Sequence, residues 1–138
     1  MTGGHSRHIV QLLATAVAIL FGLATVVAGG RVLLGADPGY LVYRPLLIYN
    51  TLMGVAYIAA GYAIWRSIRQ GAHAAQAILL LNVLVLAGIV YLYRNGDAVA
   101  IDSVRAMTLR SAVWLSLFLA VAWRRRGSAT PPSLDAES

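Results

Sequence analysis

Cysteine is absent from the 138-residue chain, and with it go disulfides, thiol redox chemistry and thiolate metal ligands. Lysine is missing too, so all 11 basic residues are arginines. Charge is scarce overall: 12% of residues are charged against 59% hydrophobic, with a mean hydropathy of +0.73. Such a balance lies outside the range of a soluble domain. All five acids, Asp37, Asp97, Asp102, Asp135 and Glu137, fall outside the apolar runs. That argues against a small proton-coupled exporter, whose coupling wants a carboxylate within the membrane. No Ser/His/Asp nucleophile arrangement, zinc motif or Gly-rich strand-to-helix turn is present, which argues against hydrolytic catalysis.

The net charge of +6 is a topological signal rather than a nucleic-acid footprint, because the arginines flank apolar runs and no groove-reading motif accompanies them. Residues 9–30 carry no charge, and these 22 positions, at about 1.5 Å each, cross a hydrocarbon core of roughly 30 Å. Their length exceeds a signal-peptide apolar region, so a retained helix is expected. Further spans are predicted at about 45–65, opening on Pro45, and at about 72–93. The fourth, 104–123, reaches spanning length only by admitting Arg105 and Arg110; the alternative is a re-entrant or surface helix. The expected fold is therefore all-α, a four-helix transmembrane bundle over residues 1–126. A disordered, Ser- and Pro-rich tail is expected over 127–138.

Arg7, Arg66, Arg69 and Arg124 to Arg126 fall on one side of these spans, and Arg31, Arg44, Arg94, Arg105 and Arg110 on the other. Only the second side has acids next to its helices, so the first is expected to be cytoplasmic, with both termini. Trp65 and Trp123 would then mark the inner interface, and Tyr40, Tyr43, Tyr91 and Tyr93 the outer one. An internal repeat is visible as well. Arg31, Asp37, Arg44, Trp65 and Arg66 recur as Arg94, Asp97, Arg105, Trp123 and Arg124, at offsets of 63, 60, 61, 58 and 58. Two hairpins in the same orientation, a parallel repeat, would produce it; chance placement of Arg at helix ends is the competing explanation.

Polar residues inside a span normally face another helix. Gln11, Thr15, Ala18, Gly22, Thr25 and Gly29 form one stripe on the first helix, and Asn50, Gly54, Tyr57 and Gly61 one on the second, while Asn82 stands alone near the middle of the third. These are read chiefly as helix contacts. Arg110 is sharper: it shares a helical face with Ser103, Met107 and Trp114, at a depth where a guanidinium must snorkel or find a partner. With Arg44, Arg105, Asp37, Asp97 and Asp102 it would form a polar site at the outer mouth, Asn50 lying below, suited to an anionic or carbonyl-bearing head group. A self-satisfied ion-pair network accounts equally for these residues. His5, His8 and His73 all fall on the inner side, with no carboxylate to complete a haem or metal site, so no metal is expected.

A resemblance can be set beside this. Residues 21–25, 29–35, 49–61, Trp65-Arg66, 106–111 and Trp114 resemble a group of small, uncharacterised bacterial four-helix membrane proteins, broadly DoxX-like, across most of residues 21–123. The resemblance implies an inner-membrane bundle with no established activity, some members being linked to quinone-dependent electron transfer. Two functions are thus expected to compete. One is a non-catalytic accessory or ligand- or lipid-binding bundle without a cofactor. The other is a redox subunit in which Arg110, Asn50 and Tyr57 hold a quinone carbonyl. In either, four short spans favour a homo-oligomer or a larger membrane partner besides the bilayer, and no nucleic acid.

Overall fold

The computed structural model describes residues 2–128, which form four helices and, among those residues, no strand. They are α1 (Thr2–Leu33), α2 (Arg44–Arg66), α3 (Ile68–Arg94) and α4 (Ile101–Ser128). All four are long and apolar enough to cross a membrane. The fourth settles the question its arginines raised, since Arg105 and Arg110 lie within 28 continuous helical residues. Successive helices run antiparallel. The start of α1 meets the end of α2 through the Gln11 side chain, which donates to the Ile64 carbonyl at 2.9 Å, and meets the end of α4 through Arg124 Nε, which donates to the Arg7 carbonyl at 3.2 Å. The most extensive pairings are α1 with α2 and α3 with α4, a pair of hairpins packed side by side.

Small residues let the first hairpin close. A Cβ added to Gly22 would stand 2.7 Å from the Gly54 carbonyl oxygen, and one on Gly54 would stand 3.0 Å from the Gly22 carbonyl oxygen. The backbones therefore touch where the two polar stripes cross, the small-residue contact that membrane helices favour. Ala18, Gly22, Thr25 and Gly29 are buried on α1, as are Gly54, Tyr57 and Gly61 on α2. Leucine and valine cover the outside: Leu13, Leu20, Leu84 and Leu119 are each more than half exposed, a surface suited to hydrocarbon. The core is a cluster of Met53, Tyr57, Ile64, Ile78, Trp114 and Val121 seated on Ala14, Ala18, Ala72 and Ala75, with a second cluster of Leu46, Ile89, Val99 and Met107 towards the opposite end.

Helix boundaries extend past the predicted spans for local reasons. α3 begins at Ile68 rather than near residue 72 because Ser67 alone makes the reversal from α2. Its N–H returns to the Ala63 carbonyl at 2.9 Å and its hydroxyl accepts from the Gln70 N–H at 3.5 Å, closing one helix and capping the next. The turn is so tight that a Cβ on Gly71 would lie 2.6 Å from Ile64 Cα. α4 carries two residues, Gly127 and Ser128, that composition assigns to the tail. The Arg7 guanidinium donates to the Gly127 carbonyl and holds that last turn. The remainder of the expected tail, 129–138, lies outside the described residues.

Candidate functional site

The bundle has two unlike ends. The starts of α1 and α3 with the ends of α2 and α4 make a terminal end; the connections 34–43 and 95–100 make a loop end. α4 enters from the loop end, so Arg110 lies nine residues in, about 13 Å along the axis at 1.5 Å per residue. Its face is the inward one, since Ser103, Met107 and Trp114 are all buried. Asn50 lies five residues past Pro45 on α2, and the two side chains converge on one cavity of about 200 Å³. Thr25, Gly29, Ser103 and Ala106 complete its walls, and Pro38 and Tyr40 of the 34–43 connection reach over it.

Two atoms make this cavity chemically distinct. Arg110 Nε and Asn50 Oδ1 are both shielded from solvent, and neither has a hydrogen-bond partner. The two residues line one space, and their unpaired guanidinium N–H and amide oxygen, at membrane depth, cost several kcal/mol. Thr25 does not satisfy them, because its hydroxyl donates to the Phe21 carbonyl of its own helix at 2.8 Å. Neither do the carboxylates. The one ion pair among the described residues joins Arg105 to Asp102 at 4.0 Å on the exposed first turn of α4. Asp37 instead accepts from the Gly39 N–H at 2.8 Å and shapes the connection whose Gly39 takes φ +81°. Asp97 is exposed, and Arg44 lines a separate surface groove with Val32 and Val42.

Of the nine residues that sequence singles out, the structure therefore brings Arg110 and Asn50 together at the cavity. It leaves Arg44, Arg105, Asp37, Asp97 and Asp102 outside the cavity lining, at the loop end of the bundle. Tyr57 and Trp114 are fully buried below, their rings 4.9 Å apart and tilted by 41°. They belong to a second polar feature that sequence only half revealed. Asn82 Oδ1 accepts hydrogen bonds from both the Tyr49 and the Tyr57 hydroxyls, each at 3.1 Å, tying α3 to α2 at mid-depth. The isolated amide in an apolar run and Tyr57 on the α2 stripe were visible; Tyr49 was not, because it sits beside rather than on that stripe. Asn82 Nδ2 and Trp114 Nε1 are left without partners. The described residues contain no group of three or more His, Cys, Asp or Glu that could hold a metal ion. No family model, curated protein or solved structure matches the chain.

Proposed function

We propose that the chain is a non-catalytic, ligand-binding membrane bundle that holds the polar head of an amphipathic molecule between Arg110 and Asn50. The observation that carries this reading is the pair of unpartnered, shielded polar atoms on two residues that line one cavity. A head group with an anionic or strongly polarised oxygen would accept from Arg110, and one with a hydroxyl or amine hydrogen would donate to Asn50. The cavity of about 200 Å³ is below the roughly 300–1,000 Å³ of pockets that enclose a whole drug-sized ligand, so it suits a head group whose chains stay in the bilayer. In this account the loop end faces the extracytoplasmic side of a bacterial inner membrane, six arginines holding the terminal end in the cytoplasm.

A second reading, a DoxX-like quinone-interacting redox subunit, draws on one further observation. Trp114 Nε1 lacks a partner as Arg110 Nε does, and the two residues are one turn apart on α4. A ring with two carbonyls could accept from both, but only by parting the Tyr57–Trp114 contact, since Trp114 is 0% exposed. The ligand-binding reading leaves that ring contact intact. Purification in a mild detergent, followed by near-ultraviolet spectroscopy and mass analysis of the lipid extract, separates the two. A near-stoichiometric anionic or hydroxyl-bearing lipid, lost in Asn50→Ala and Arg110→Ala, is the expected result. Stoichiometric quinone would favour the second reading, and extracts unchanged by either variant would contradict both.

A further inference from the structure

At the terminal end, far from the Arg110 cavity, α3 and α4 enclose a groove of about 310 Å³ lined by Ala72, Gln76, Phe118, Ala122, Arg125 and Arg126. Its two halves differ in kind. Ala72, Phe118 and Ala122 are buried or half-buried and make an apolar floor, whereas Arg125, Arg126 and Gln76 are exposed around the entrance. We infer that this groove is a binding site for an anionic phospholipid, its phosphate held by Arg125 and Arg126 with the Gln76 amide, and the start of an acyl chain lying along Phe118.

Register, charge and depth support the assignment. Ala72 and Gln76 are one turn apart on α3, and Phe118, Ala122 and Arg126 follow at intervals of four on α4, so each helix presents a single face to the groove. From Phe118 to Arg126 is eight residues, about 12 Å of axis, enough for a phosphate, a glycerol and the first methylenes. No acid lines the groove. The α3 N-terminus lies at this end and favours an anion; the α4 C-terminus opposes it, and two guanidiniums outweigh that partial charge. The arginines stand on a fixed turn, because Arg7 ties down Gly127 just beyond them. Trp65 and Trp123, 60% and 55% exposed at the same end, set it at the head-group level of the bilayer. Clustered arginines between helix ends are a recognised setting for anionic head groups.

The test measures binding of phosphatidylglycerol, cardiolipin and phosphatidylcholine to the full chain in mild detergent by native mass spectrometry. Arg125→Gln/Arg126→Gln is compared with Arg66→Gln/Arg69→Gln, which removes equal charge from the same end but outside the groove. Two arginines near an anionic surface carry a combined factor of about thirty. The wild type should therefore prefer an anionic lipid over phosphatidylcholine by at least that factor. The first variant should lose it, the second and Arg125→Lys/Arg126→Lys should keep it, and Ala122→Trp should weaken lipid binding by filling the floor. Equal losses in the two glutamine variants would overturn the site in favour of diffuse surface attraction. So would competition by millimolar inorganic phosphate, which would make the ligand a free anion, or a gain in binding when residues 129–138 are removed, which would make the acidic tail the occupant. Lipid retained at Arg110 is scored separately through Arg110→Ala, so the two sites fail independently.

Discussion

Arg110 and Asn82 are both polar residues at membrane depth, and their surroundings set opposite expectations for them. Asn82 is 0% exposed and anchors two tyrosine hydroxyls, so Asn82→Leu strands both donors. Hydrogen bonds between membrane helices average about 0.6 kcal/mol and reach about 1.7, so a loss of about 1–3 kcal/mol is expected in unfolding titrations from mild detergent into dodecyl sulfate. Arg110 Nε has no hydrogen-bond partner within the bundle, and an unpartnered guanidinium N–H at membrane depth is a cost. Arg110→Leu is therefore expected to leave the delipidated protein as stable or more stable, by up to about 2 kcal/mol, while abolishing ligand retention. A stability loss as large as that of Asn82→Leu would assign Arg110 a structural bond instead. Arg110 could be singled out from sequence because a guanidinium at that depth must either snorkel or find a partner. The partner set could not. Its convergence with Asn50 depends on how α4 packs against α2, and the expected carboxylate partners are spent on a turn at Gly39 and a surface pair with Arg105.

Among the elements, the α1/α2 and α2/α3 junctions tolerate the least. Gly54→Val forces the two backbones apart at their crossing, and overpacking of this kind costs typically about 1–3 kcal/mol. Leu84→Val, on a lipid-facing residue 69% exposed, should change little in the same titration. Gly71→Ala meets Ile64 backbone as well as its side chain, and should be at least as costly as Gly54→Val. The stripes that locate these contacts were legible because small and polar residues recur at spacings of three and four. The α3 start was not: residues 67–70 fall between the two predicted spans, and the Ser67 cap makes them a turn and the first residues of a helix.

For the whole molecule, the four crossings fix which segments share a side of the membrane. The lack of native cysteine lets this be read by single-cysteine labelling of intact spheroplasts with an impermeant maleimide. Cysteines at Ala36 and Gly96, in the loop-end connections, are expected to label from outside; those at Ser6 and Ser67 should label only after permeabilisation. Labelling of Ser6 together with Ala36 would break the antiparallel hairpins, and labelling of all four with the sides exchanged would reverse the orientation. Number and length of crossings were legible because hydropathy and the 30 Å thickness of hydrocarbon leave few alternatives. What the cavity holds was not, because four helices enclose it jointly and no single segment carries its chemistry.

Intact-mass native spectrometry of Arg110→Ala beside its Arg110 parent, purified identically, tests whether Arg110 holds a head group. In an Arg125→Gln/Arg126→Gln background, which empties the terminal-end groove, a single lipid-sized adduct on most molecules with Arg110, missing from those with Arg110→Ala while fold and oligomeric mass are kept, is the expected result. Molecules with Arg110 that carry no adduct, or the same adduct on Arg110→Ala, would contradict that assignment.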